Sequence, residues 1–355
     1  MNRVLLASAG AGKTTRLVCD ALAALPKRTA IVTFTVNNAE EIKAKFCELN
    51  GIVPKGIEIY TWYTFALQEL VRPYQGALFK DRIASVLMMN GTSARFVPKS
   101  RVKDYYFNRQ RAIYSDKLSD FFLVCDEATG GLVVGRLEDR FERLCVDEVQ
   151  DFAGYDIDAI ERILRSRMEV TLVGDVCQAT FKTNHSRKNK GYFGVGFLVK
   201  VEAWSKIGLC DIEYMNESYR CIQEICDLAD SIFPALRATV SHNAHRTMHD
   251  GLFLIRAGDV AAYMAQFAPQ VLRYDRKTPS DYVTFNFGEV KGLGYERVLI
   301  LPYGKMRSWL MTGDLGHIES SAEKVYVAVT RARQSVAFVY DGTCAIPGIA
   351  VWVPN

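Results

Sequence analysis

The chain has 355 residues, 49% of them hydrophobic and 24% charged, with a formal net charge of +4. That balance is ordinary for a soluble globular protein, and the length is enough to bury two cores. No run approaches about 20 consecutive apolar residues, which excludes a membrane span, and the apolar start Val4 to Ala7 leads into a glycine-rich loop rather than a signal-peptide cleavage site. The nine cysteines are scattered and odd in number, with no CxxC pair. They read as reduced thiols of a cytoplasmic protein, not as a disulfide framework or zinc ligands.

Val4-Leu5-Leu6 suits a buried parallel strand. The loop Ala7-Ser8-Ala9-Gly10-Ala11-Gly12-Lys13-Thr14 follows, and a helical pattern runs from Lys13 to Leu25 before Pro26 closes it. Strand, glycine loop and helix in that order make a phosphate-binding loop. Gly10 and Gly12 permit the tight backbone path, and amides at the helix start point toward phosphate oxygens. Lys13 would reach the β/γ-phosphates and Thr14 would give its hydroxyl to Mg²⁺. The expected nucleotide contacts are Gly10, Ala11, Gly12, Lys13, Thr14 and Thr15, and the expected cofactors are ATP and Mg²⁺.

Further along, Arg95, Lys99, Arg101, Lys103, Arg109, Arg111 and Lys117 alternate with Phe96, Tyr105, Tyr106, Phe107 and Tyr114. Such a segment can neutralise phosphates and stack on bases, or it can be a solvated loop with some rings in the core. Phe121, Phe122, Val124 and Cys125 read as core. Leu144-Cys145-Val146 is a strand that ends in Asp147-Glu148, where a parallel sheet presents groups at its carboxyl edge. Asp147 is the natural Mg²⁺ partner, and Glu148 can act as general base on the attacking water. Val170 to Val173 ends in Gly174-Asp175, with Gln178 placed either to sense the γ-phosphate or to cap a turn. A second basic cluster, Lys182, His185, Arg187, Lys188 and Lys190, precedes Tyr192 and Phe193 and carries the same two readings. Arg220 opens a helical pattern, and Val325 to Arg333 leads into the strand-like run Ser335 to Tyr340. Arg220 and Arg331 lie far from the loop in sequence, which makes sense if a second domain supplies phosphate-stabilising arginines.

Taken together, these motifs resemble the superfamily 1 helicases of the UvrD/Rep/PcrA type, and the nucleotide loop looks like that of the RecB/AddA motors. Thr33-Phe34-Thr35 with Asn38, Tyr60 to Phe65, Val146 to Asp151, Val173 to Gln178, Ser218-Tyr219-Arg220, Lys291 to Glu296 and Tyr326 to Arg333 follow the family's order. The resemblance implies an α/β fold of two RecA-like P-loop NTPase domains with mainly parallel sheets, ATP in the cleft between them and a single strand across both. Gln150 would couple the γ-phosphate to the strand, Gly292 would join the nucleotide contacts, and Arg220 and Arg331 would touch the γ-phosphate. Thr35, Asn38, Trp62, Tyr63, Thr64, Phe65, Phe181, Lys182, Arg187, Lys188 and Lys291 would contact nucleic acid.

Three features depart from the family pattern. No adenine-contacting glutamine motif precedes the loop, the Trp-Arg-Gly after Phe181 is replaced by a basic run, and Gly294 stands where a glutamate is usual. The expected division is 1–65 plus 143–181 for the first RecA-like domain, 66–142 for a small helical insertion, 182–211 for a basic connection, and 212–355 for a second domain without a large insertion. The implied activity is ATP-dependent movement on single-stranded nucleic acid, DNA with 3′ to 5′ polarity in most relatives. The implied partner is single-stranded or tailed duplex DNA, with RNA as the alternative. Two other readings are an ATPase subunit acting through a nuclease or a replication, repair or defence protein, and a non-catalytic nucleotide switch.

Overall fold

The computed structural model describes residues 1–354. Close contacts divide them into two compact units, Met1–Leu6 with Lys13–Tyr214, and Ala7–Gly12 with Met215 onward.

The first unit is built on runs that are apolar without alternation. β1 (Arg3–Ala7), β2 (Thr29–Thr33), β6 (Arg143–Val146) and β7 (Glu169–Gly174) are buried along almost their whole length. That is the pattern of parallel strands covered on both faces. With β3 (Ile57–Thr61) and β8 (Asp211–Met215) they form one sheet in the order β3-β2-β6-β7-β1-β8. The register Leu5↔Val173 and Cys145↔Thr171 places β7 between β1, which runs into the glycine-rich loop, and β6, which runs into Asp147-Glu148. Helices Lys13–Ala23, Val36–Asn50 and Tyr155–Leu164 flank this sheet. Leu17, Val18 and Ala21 form the buried stripe of the first of these.

A small helical insertion follows β3. Its helices Leu118–Ala128 and Leu132–Arg140 accompany a two-residue ladder of β4 (Val86–Leu87) with β5 (Ile113–Tyr114). Phe121, Phe122 and Cys125 are fully buried, as core residues should be. Buried Glu69 is paired by Arg136 and Arg140, each at 3.1 Å. Asp126 accepts from the Val134 amide at 3.0 Å and from the Arg162 guanidinium at 2.7 Å, tying the insertion to the sheet's helix layer.

The second unit repeats the layout. A two-residue pair, β9 (Glu217–Ser218) with β10 (Val240–Ser241), precedes β11 (Gly251–Ile255), β12 (Gln270–Arg273), β13 (Thr284–Asn286), β14 (Tyr295–Leu301), β15 (Ala332–Val339) and β16 (Ile349–Val351). β11 to β16 form a second six-stranded sheet, parallel throughout, in the order β13-β12-β14-β15-β11-β16. Ile255, Tyr263, Val271, Leu299 and Ala337 form part of its core, and Phe253, Phe267 and Trp352 pack on them. The C-terminal tail, to which the sequence assigns no task, thus supplies the edge strand β16. Two RecA-like α/β units with parallel sheets, a small helical insertion in the first and none of comparable size in the second, make up the fold.

Candidate functional site

The carboxyl edge of the first sheet gathers the acids and amides that the sequence singles out. β1 ends and the helix Lys13–Ala23 begins across the loop, in which Gly10 and Gly12 have φ of 78° and 75°. Only glycine holds that left-handed backbone without strain. At the end of β6, Asp147 is buried. Burial and the neighbouring Glu148 push its carboxyl well above the usual range, and the charge of Lys13 opposes them. Asp175, at the end of β7, is raised by the same burial and likewise opposed by Lys13.

Glu148 sits in the left-handed region at φ 56°. A non-glycine residue there marks a backbone held by its surroundings. Those surroundings are a short chain of amides and carboxylates. The Gln150 side-chain amide donates to the Glu148 carboxylate, and its oxygen accepts from the Asp175 amide at 3.0 Å. Gln178 donates to Asp175 at 2.6 Å, and the Asp175 carboxylate also accepts from the Cys177 amide at 3.1 Å. Glu148, Gln150, Asp175 and Gln178 are therefore one network across the ends of β6 and β7. Gln178 closes a turn, one of its two sequence readings, and does so among the acids. The network has no slack, since a Cβ on Gly174 would lie 2.4 Å from the Gln150 side-chain oxygen.

The donor set suits Mg²⁺. Among the described residues no cluster of three or more His, Cys, Asp or Glu side chains could hold a metal alone. Mg²⁺ instead takes one or two protein oxygens, keeps water and leans on phosphate. Asp147, a buried carboxylate whose charge is costly, would be relieved by a divalent cation beside Lys13 and Thr14.

The loop itself, Ala7–Gly12, belongs by its contacts to the second unit, although the sequence assigns it to the first domain. Within that unit the Ser218 hydroxyl donates to the Ala9 carbonyl at 2.8 Å, and the Tyr219 amide donates to the Gly10 carbonyl at 3.0 Å. A Cβ on Gly10 would meet the Arg220 Cβ at 2.6 Å, so glycine is needed there for space as well as for φ. Arg220 donates to the Thr330 carbonyl at 3.4 Å. Arg331 is buried, and its guanidinium donates to the carbonyls of Val327 at 3.1 Å and Leu293 at 3.0 Å. Gly294 lies beside Arg220 and Arg333, which come within 3.9 and 3.8 Å of where its Cβ would be. Lys291 and Gly292, at φ 88°, follow the short turn Phe287–Val290 in the same unit.

The expected strand contacts divide by burial. Trp62 and Phe65 are fully buried, and Trp62 packs edge-on against Phe152 at 4.6 Å. A base cannot stack on a ring with no open face, so these two are core, contrary to the expectation that they line a strand path. Tyr63 is half-buried, donates to the Thr183 carbonyl at 2.6 Å, and lies 6.1 Å from Phe34. Phe34 is in turn 6.3 Å from the exposed Phe181, so it joins an aromatic group that its sequence position alone does not reveal. Thr35 caps the helix Val36–Asn50 by accepting from the Asn38 amide at 3.1 Å, and Thr64 is exposed. Lys182, Arg187 and Lys188 are exposed on the first unit, outside the described acid–amide network.

Fold and site define a class, an α/β protein of two RecA-like units, with a glycine-rich loop after its first strand and an acidic, amide-braced edge on its first sheet. No protein-family model matches the chain, and no curated protein matches it. Among solved structures it is similar to the arterivirus nonstructural protein 10 helicase, at 14% identity and a TM-score of 0.48 over 96% of this chain and 59% of that one. The same helicase in complex with DNA gives 15%, 0.49, 96% and 61%. The PRRSV helicase gives 16%, 0.45, 98% and 55%. The chain spans about three fifths of the length of these structures.

Proposed function

We propose that the chain is an ATP-driven translocase or helicase on single-stranded nucleic acid, of the superfamily 1 kind that its motifs resemble. The observation that carries this reading is the Glu148–Gln150–Asp175–Gln178 network at the edge of the first sheet. A protein that only binds nucleotide has no need of a carboxylate held in a strained backbone by a buried glutamine. In this reading Lys13 and the loop amides take the phosphates, and Mg²⁺, held by Thr14 and Asp147, supplies charge neutralisation when bound. Glu148 orients a water and accepts its proton. Gln178 reports on the γ-phosphate and Arg220 stabilises the charge that develops on it, as would Arg331 once its buried guanidinium gives up its bonds to the Val327 and Leu293 carbonyls. Gln150 links the acid to the end of β7, so a change at the phosphate reaches the segment after Gln178 that carries Phe181.

DNA as the polymer and 3′ to 5′ movement are the finer parts of the proposal. A second reading is favoured by the second unit, whose single six-stranded sheet carries no large insertion. There the chain is an ATPase subunit that unwinds little by itself and acts through a partner such as a nuclease.

The test is ATP hydrolysis with and without single-stranded DNA or RNA, followed by displacement from a tailed duplex. Stimulation with displacement is the expected result. Stimulation alone supports the partner-dependent reading, and no stimulation by either polymer would sink both. Glu148→Gln should slow turnover by about 10²–10⁴-fold while retaining ATP binding, the loss expected for a general base.

A further inference from the structure

The two aromatic-basic segments of the sequence are some 70 residues apart, yet the first unit folds them into adjoining walls. A cavity of about 640 Å³ is lined by Arg95, Phe96, Tyr105 and Lys117 on one side and by Tyr155, Arg187 and Lys188 on the other. A second cavity of about 440 Å³ adjoins it, shares Ser186, Arg187 and Lys188, and continues along Lys182 and Lys190. Neither is formed by the phosphate loop or by the acids of the nucleotide site.

Charge and aromatic surface alternate along these walls. Lys117 Nζ lies 4.1 Å from the centre of the Tyr105 ring, Lys188 4.9 Å from Tyr155, and Lys182 4.4 Å from Phe193. Phe96, one of the lining residues, is 98% exposed, so its ring faces are open to a stacking partner. The Ser186 hydroxyl is buried at the junction of the two cavities with no hydrogen-bond partner.

The walls are braced rather than loose. Thr92 donates to the His185 carbonyl at 2.9 Å, Asn184 to the Asp116 carbonyl at 3.2 Å, and Asn189 to the Gly154 carbonyl at 2.9 Å. No carboxylate lines either cavity, so the lining side chains carry a net positive charge, although Asp158 pairs with Lys188 at 3.2 Å and Asp116 lies 3.8 Å from Lys117.

We propose that this groove is a binding site for a single-stranded nucleic acid. Its phosphodiesters would lie along Arg95, Lys182, Arg187 and Lys188, and a base would stack on Phe96. The site rests on the reading of the chain as a nucleic-acid motor but belongs to the first unit alone and needs no nucleotide. A run of cations spaced by aromatic faces is what a sequence-tolerant single-strand site requires. A phosphopeptide or an acidic polypeptide would use the cations and leave the rings idle.

The experiment is fluorescence anisotropy of a labelled oligo(dT) with the full chain, without nucleotide, across a salt series. Thermal unfolding serves as a check that each variant is folded. Arg95→Ala/Arg187→Ala/Lys188→Ala should lower affinity about tenfold or more and reduce the slope of log K against log salt by about 2, near 0.7 per cation lost. Phe96→Ala should weaken binding by about tenfold with the slope unchanged, as loss of a stacking face does. Photo-crosslinking of an iodouracil oligonucleotide should label the peptide containing Phe96. Unchanged affinity and slope in the folded triple variant, crosslinks confined to other peptides, or displacement of the oligonucleotide by polyglutamate at equal charge concentration would each overturn the site. If the groove variants lose oligonucleotide while ATP hydrolysis proves indifferent to polymer, the site stands and the motor reading falls. Polymer-stimulated hydrolysis with a groove that makes no difference to binding is the reverse outcome.

Discussion

At the scale of single residues, the site depends on what Gly174 lacks. Gln150 is fully buried, and both ends of its amide are used, by Glu148 and by the Asp175 backbone. An alanine methyl at 174 would press on that amide at 2.4 Å and on the Val149 side chain at 2.9 Å. Gly174→Ala should therefore cost about 1–3 kcal/mol in urea unfolding, the range for forced overpacking, and should lower ATP turnover by displacing Gln150. Made in a Gln150→Ala background, the same change should cost less, because the nearer of the two clashing atoms has gone while the Val149 contact at 2.9 Å remains. Equal costs in the two backgrounds would mean that the methyl is absorbed elsewhere. Asp147 and Glu148 stand out in the sequence because they follow an apolar strand directly, and Gln178 because it comes four residues after another. That Gln150 bridges two strand ends cannot be read, since it depends on β7 lying beside β6. Trp62 and Phe65 mislead for a related reason. A motif gives the order of residues along a short helix but not which side of it faces the core.

Among the elements, the helix Val260–Phe267 and β11 hold a histidine in an unusual setting. His249 stacks between Phe253 and Phe267 at 3.9 and 3.8 Å, and its Nε2 meets the Tyr263 hydroxyl at 2.8 Å. Burial, and then the positive charge of Arg297, lower its pKa from 6.5 to about 4, with Asp250 opposing them weakly. The unfolded chain therefore takes up a proton that the folded one refuses, between pH 6.5 and about 4. Stability of the second unit should be fully present above pH 6.5 and fall as the pH drops through that window. In melting temperatures measured from pH 8 to 4, His249→Phe should flatten that part of the fall while lowering stability throughout, through loss of the Tyr263 hydrogen bond. A slope that persists unchanged in the variant would assign the acid sensitivity to another group. Nothing in the sequence marks this histidine, because its aromatic neighbours come from 4 and 18 residues later and meet it only in the fold.

For the molecule as a whole, the sequence conveys that there are two sheets but conveys less about what completes them. The apolar runs of β1, β6, β7 and β15 announce buried parallel strands, whereas the edge strand β16 has three residues and no alternation to detect. The grouping of Ala7–Gly12 with the second unit is also hidden, since the loop is continuous in sequence with β1 and the helix it precedes. Each unit nonetheless has its own sheet and its own buried core, and units of that kind unfold as separate cooperative blocks. Leu299 lies at the centre of β14, fully buried against Ile255, Tyr263 and Val271. Leu299→Ala should remove about 2–5 kcal/mol from the second unit, the usual range for such a cavity. Followed in urea by tryptophan fluorescence, Trp62 and Trp204 report the first unit, and Trp309 and Trp352 the second. With single-tryptophan versions of the chain, the Trp309 transition should move to lower urea in Leu299→Ala while the Trp204 transition keeps its midpoint. Equal movement of both midpoints would show one cooperative block, and the second core would then be an extension of the first.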